Sequence, residues 1–83
     1  MIKKSIMITK KMEPDRAVAL LVNKASSFSS TINLTREEKT ANAKSIMGMI
    51  NFGFVTGASI DVSVDGEDEQ EAMSQIEEFL TED

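Results

Sequence analysis

Few groups in this chain are able to do chemistry. Its 83 residues include no histidine and no cysteine. The usual proton shuttle, the thiolate nucleophile and the best zinc ligands are therefore all missing. Carboxylates remain as ligands for a hard cation, but no calcium-loop spacing occurs, so neither a metal nor a cofactor is expected. The hydroxyl of most interest is Ser45, in the run Asn42-Ala43-Lys44-Ser45-Ile46-Met47-Gly48. It follows a lysine and precedes a short apolar helical pattern. Taken alone, such a serine is an N-cap, contributing about 0.5–2 kcal/mol. A phosphate on it would add about −1.5 to −2 charges. That charge would lie against free N–H groups at the positive end of a helix, beside Lys44. A second candidate is Met12-Glu13-Pro14-Asp15-Arg16. Asp15 could accept a phosphoryl group only if activated, and neither Glu13 nor Pro14 offers activation.

These residues must be positioned by short elements. Ile6 and Ile8 alternate with Ser5, Met7 and Thr9, which predicts a strand over about residues 2–8. Pro14 suits the first turn of a helix, where its missing N–H costs nothing, and Glu13 and Asp15 favour that end through the helix dipole. Val18, Leu21, Val22 and Ala25 then follow helical spacing, ended by the serine-rich stretch around Phe28. Ile32 and Leu34 mark a second strand. Residues 36–39 form a turn without the Gly or Asn that tight hairpins prefer, and residues 40–42 form a short third strand. After Ser45, the residues Ile46, Met49 and Ile50 should make a buried stripe, with Met47 outward. The stretch from Asn51 to Gly57 reads as a glycine-punctuated connection. Ile60, Val62 and Val64 alternate with Ser59, Asp61, Ser63 and Asp65, giving a strand with one wet face. Asp68 and Glu71 resemble a capping box before a last helix with Ala72, Ile76, Phe79 and Leu80 on one side.

The order is βαββαβα over a single domain, residues 1–83. Strands with one polar face, covered by helices on the other, make a two-layer α+β sandwich: an open-faced, four-stranded antiparallel sheet under three helices. All nine lysines and arginines lie in residues 1–44, against four acids, a net of +5. Residues 45–83 carry ten acids and no base. The bases are scattered and no aromatic interleaves them for stacking, so direct nucleic-acid binding is not expected. The C-terminal acids read as a solvated helix face. No apolar run reaches membrane-spanning length and no secretory signal is evident, so a cytoplasmic protein is expected.

The Asn42–Gly48 motif, its continuation to Gly53, and Gly66-Glu67-Asp68-Glu69-Gln70-Glu71-Ala72 resemble HPr, the phosphocarrier of the bacterial sugar phosphotransferase system. Arg16 followed by Val18-Ala19-Leu20-Leu21-Val22 resembles the start of the family's first helix, and Phe28 the aromatic after it. With the element order, the resemblance covers essentially the whole chain. It looks particularly like the histidine-lacking Crh branch. The family's active loop reads Gly-Leu-His-Ala-Arg-Pro-Ala; here it is Met12-Glu13-Pro14-Asp15-Arg16-Ala17-Val18. Pro14 takes the histidine position, where Crh carries glutamine. Proline offers no nucleophile for the family's phosphoryl relay. Glu13 and Asp15 beside Arg16 could imitate a phosphohistidine, but the plainer reading is that they favour a helix N-terminus.

The resemblance implies a non-enzymatic regulatory protein of carbon catabolite control, phosphorylated on Ser45 by an HPr kinase/phosphorylase. Its partners would be that kinase and either the carbon-catabolite regulator CcpA or a metabolic enzyme. They would be met through Arg16, Val22, Lys44, Ile46 and Met47. The alternative is a diverged paralogue that is never phosphorylated and binds another partner constitutively. A monomer or a weak, strand-swapped dimer is expected.

Overall fold

A computed structural model of the chain describes residues 1–82. The strands are β1 (Ile2–Met7), β2 (Thr31–Arg36), β3 (Lys39–Asn42) and β4 (Ser59–Asp65), and the helices α1 (Pro14–Ser26), α2 (Ile46–Phe52) and α3 (Glu69–Thr81). The βαββαβα order read from the sequence is the order found. The strands form one antiparallel sheet in the order β1-β4-β2-β3, so β4 is central and β1 and β3 are edges. All three helices lie on one face. α3 packs on β1 and β4, α2 on β3, and α1 against both other helices.

The period-2 pattern decides which face is which. Ile6, Ile32, Leu34, Ile60, Val62 and Val64 point to the helices and are all buried. The other face is wet. Ser5, Asp61, Thr35 and Thr40 make one cross-strand row, with a 2.7 Å hydrogen bond from the Ser5 hydroxyl to Asp61 and the Thr35 and Thr40 hydroxyls 3.3 Å apart. β1 ends at Met7, but pairing continues one residue further. Ile8 N–H donates to Ala58 O at 2.9 Å, and Ile8 O accepts from Gly57 N–H at 2.7 Å.

The hairpin between β2 and β3 is tight, with Arg36 opposite Lys39 and only Glu37-Glu38 between them. The sequence offers no Gly or Asn there, and Glu37 accordingly sits at φ 57°, in the left-handed region disfavoured for a residue with a Cβ.

The expected capping box is absent. Asp68 is the N-cap of α3 but makes no side-chain bond to its own helix. Its carboxylate reaches across to the segment after α1, accepting from Ser29 N–H at 2.9 Å, Ser30 N–H at 3.0 Å and the buried Ser30 hydroxyl. These donors, the Ser30 hydroxyl foremost and then the backbone N–H of Ser29, hold its carboxyl down at about 2. Three donors on a charged acceptor outcompete one capping bond. Gly66 lies against the same place. A Cβ there would come within 2.5 Å of Ser30 Oγ and 2.6 Å of Ser30 Cα. Glu69 takes up the local capping role, accepting from Gly66 N–H at 3.2 Å.

Candidate functional site

The site centres on the junction between β3 and α2. Asn42 ends β3 and organises the turn: its side-chain oxygen accepts from Lys44 N–H at 2.8 Å and its carbonyl from Ser45 N–H at 2.9 Å. Ser45 then leaves the turn in an extended conformation, φ −101°, ψ 113°, which aims its Oγ back along α2. Oγ accepts from Gly48 N–H at 3.1 Å, and Ser45 O from Met49 N–H at 2.9 Å. Ser45 is therefore the N-cap that the sequence suggests, and it is exposed. The N–H groups of Ile46 and Met47 have no protein acceptor among the described residues. Gly48 keeps the hydroxyl accessible, because a Cβ there would stand 3.2 Å from Ser45 Oγ.

Lys44 is not where a phosphate partner is expected. Its ammonium donates to Phe28 O at 2.6 Å, fastening the segment after α1 to the β3–α2 turn. The orphan carbonyls past a helix end are strong acceptors for such a cation.

The predicted buried stripe of α2 needs correction. Met49 is buried at 1% exposure, but Ile46 and Ile50 are 44% and 58% exposed. The second inward residue is Phe52, at 3%. At 100° per residue, Ile46 and Ile50 lie on one flank of Met49 and Phe52 on the other. Packing on β3 and α1 turns the Phe52 flank inward. Met47 is outward as expected, at 73%. Ile46, Met47 and Ile50 thus leave an uncovered apolar surface immediately after Ser45.

Arg16 is exposed on the first turn of α1 and enters no ion pair among the described residues. Val22 is half-buried at the edge of the core, and the exposed apolar residue of α1 is Leu20. Pro14 is the first residue of α1, with Glu13 as an N-cap whose side chain makes no capping bond. Glu13, Pro14 and Asp15 are all exposed.

Two positioning residues escaped the sequence reading. Arg36 donates through Nη2 to Phe52 O at 2.7 Å and lies 5.0 Å over the Phe52 ring, closing the C-terminal end of α2. Lys10, in the segment between β1 and α1, is buried with its ammonium 4.6 Å over the Phe79 ring. The backbone N–H groups of Thr9 and Lys10 both donate to Leu80 O, at 3.0 and 3.1 Å. No local pattern announces either role, since both are set by an element distant in sequence.

Shallow depressions mark the surface, among them one on the wet sheet face around Lys3, Ser5, Asn33 and Asp61, and one near Ser45 lined by Lys39, Thr40, Gly48, Asn51 and Phe52. The first holds the Ser5 hydroxyl against the Asp61 carboxylate on the open sheet face, and no carboxylate lines the second. Among the described residues, no group of three or more carboxylates is placed to hold a metal ion, and no helix is long and apolar enough to cross a membrane.

Comparison with known proteins agrees with this architecture. The family described as PTS HPr component, phosphorylation site, matches residues 3–82. The chain is 38% identical over 68 residues to the HPr-like protein Crh of Bacillus subtilis (strain 168), covering 82% of this chain and 80% of that one. Its structure superposes on that of the phosphocarrier protein HPr from Bacillus anthracis str. Ames with a TM-score of 0.89 at 30% identity, over 96% of both chains. It also matches crystalline Bacillus subtilis Crh, described as a swapping-domain dimer, with a TM-score of 0.75 at 34% identity over 89% of this chain and 93% of that one.

Proposed function

Since the chain belongs to the HPr family of the phosphotransferase system, we propose that it is a regulatory member of it and carries no phosphate on histidine. Ser45 is its phosphorylation site, the donor is ATP through an HPr kinase/phosphorylase, and the product is a protein whose binding to a CcpA-type regulator or a metabolic enzyme has changed. The observation that carries this reading is the exposed Ser45 hydroxyl, intact in its motif, in a chain with no histidine at all.

The site's geometry is compatible with the modification. A phosphate on Oγ would exchange the Gly48 contact for bonds from the same N–H group and from those of Ile46 and Met47. The fold is kept, and the surface carrying Met47 becomes doubly negative at its edge. The partner surface comprises Arg16, Leu20, Ile46, Met47 and Ile50. Lys44 and Val22 support it from within. Such an ATP-driven cycle belongs in the cytoplasm.

Incubation with HPr kinase, ATP and magnesium tests the proposal. Intact mass should rise by one phosphate, and Ser45→Ala should abolish the gain. An unchanged mass, or equal labelling of the variant, sinks it. A second reading, constitutive binding without phosphorylation, draws on the exposed Glu13-Pro14-Asp15 segment at the start of α1. It predicts partners in a pull-down that ignore both phosphorylation and Ser45→Asp.

A further inference from the structure

The chain contains six methionines and neither cysteine, tryptophan nor tyrosine. Any reaction with a peroxide therefore falls on thioether sulfur. Burial divides the methionines, with Met12 partly buried against the core between the two extremes. Met49 and Met73 are 1% and 4% exposed, whereas Met1, Met7 and Met47 are 66%, 55% and 73% exposed. Met47 is the most open of all. It neighbours the exposed Ile46 and Ile50 on the outer side of α2 and lies two residues from Ser45.

We propose that Met47 is a reversible oxidation site, and that its sulfoxide switches off docking at the α2 surface independently of Ser45. The step is a two-electron oxygen transfer. The thioether takes one oxygen from a hydroperoxide, the O–O bond breaks, and water (or the alcohol) leaves. Two thiols reverse it through a methionine sulfoxide reductase, forming a disulfide and water. The consequence follows from the environment. Reduced Met47 offers a flexible apolar contact that re-packs against a partner. Its sulfoxide presents a strong acceptor oxygen, which a partner's apolar surface leaves unpaired. The fold does not register the change, because Met47 contributes nothing to the core.

The inference rests on the proposed role of the α2 face, and the experiment separates the two. Protein treated with graded hydrogen peroxide is digested and its methionines are quantified by mass. The same samples are assayed as kinase substrates and run on a hydrophobic-interaction column. Met47 should oxidise with Met1 and Met7, while Met49 and Met73 stay reduced. The kcat/KM for Ser45 phosphorylation should then fall about ten-fold, the worth of one apolar contact. Met47→Leu treated identically should keep its rate, and reductase should restore the wild type. Oxidation of Met49 in step with Met47, an unchanged rate, or an equal loss in Met47→Leu would overturn the inference. If unoxidised protein is not phosphorylated at all, the Ser45 reading fails, and the column decides. Treated Met47→Leu still carries the sulfoxides of Met1 and Met7, so a larger shift to earlier elution in oxidised wild type than in treated Met47→Leu supports the apolar switch, and equal shifts refute it.

Discussion

Replacing Gly66 by alanine adds one methyl group at the tightest place in this fold. The new Cβ would sit 2.5 Å from Ser30 Oγ and 2.6 Å from Ser30 Cα, against a contact optimum of about 3.5–4.0 Å. Roughly 1 Å must therefore be found. The hydroxyl could rotate, but it donates to Asp68. The Cα cannot withdraw without pulling the Ser29 and Ser30 N–H groups from the same carboxylate. Overpacking of this kind costs about 1–3 kcal/mol, and leaving the buried Ser30 hydroxyl unpaired costs about 1–3 kcal/mol. The two penalties overlap, because a hydroxyl that rotates out of the clash is the one left unpaired, so a combined loss of about 2–4 kcal/mol is expected, from a total of roughly 4–12 kcal/mol for a domain of this size. The midpoint of a thermal melt followed by circular dichroism should drop by roughly 10–30 °C. Gly48→Ala is the internal comparison. Its Cβ meets only the Ser45 side chain, Oγ at 3.2 Å and Cβ at 3.4 Å, and alanine regains up to about 1 kcal/mol of helix propensity, so the change should stay within about 1 kcal/mol. Adding Ser30→Ala to Gly66→Ala should recover part of the loss, because the hydroxyl clash goes while the Cα clash remains. A Gly66→Ala protein melting within about 3 °C of the parent, or less harmed than Gly48→Ala, would refute the reasoning.

Glu37→Gly should relieve the left-handed backbone at φ 57°. After the opposing entropy of glycine, the net gain is about 0.5–1 kcal/mol, seen as a calorimetric midpoint raised by about 2–8 °C. Asp68 makes stability depend on acid. Its folded carboxyl, at about 2, lies below the ordinary 3.8, so the native state favours the charged form. Its contribution is complete above about pH 4 and disappears as pH falls from there towards 2. Urea titrations across that window should show the decline, and Asp68→Asn, less stable at neutral pH, should show a shallower one. Arg36→Gln should loosen the end of α2, where Arg36 holds Phe52 O. Amide hydrogen exchange at Phe52 and Gly53 should accelerate about 5–30-fold, with β4 unchanged.

Where a pattern is local, the sequence and the structure agree. The alternation through Ile60, Val62 and Val64 gives β4 its two faces, and Pro14 opens α1 as its fixed φ demands. The site is legible to the same depth, since Ser45 caps α2 through a bond three residues away. What the sequence hides are choices made by distant neighbours. α2 has apolar residues around more than half its circumference, so periodicity cannot say whether the Ile46 flank or the Phe52 flank turns inward. β3 and α1 make that choice. Asp68 has a cap partner in reach by spacing, yet two N–H groups and a hydroxyl nearly forty residues earlier win it. Lys44 and Lys10 look like surface charge and are consumed by a carbonyl and an aromatic ring of other elements.

The strand order also sets a timetable for synthesis. β1 leaves the ribosome first, yet its sheet partner is β4, with Ile2 opposite Val64 and Met7 opposite Ser59. The hairpin of β2 and β3 can close at once across its two-residue turn. β1 must wait for more than fifty further residues, about 3–12 s at 5–20 residues per second. Throughout that interval an unpaired strand faces other nascent chains. Its bases then have a use that the finished fold conceals. Lys3 and Lys4 place adjacent charges on opposite faces of β1, which discourages edge-to-edge pairing until β4 arrives.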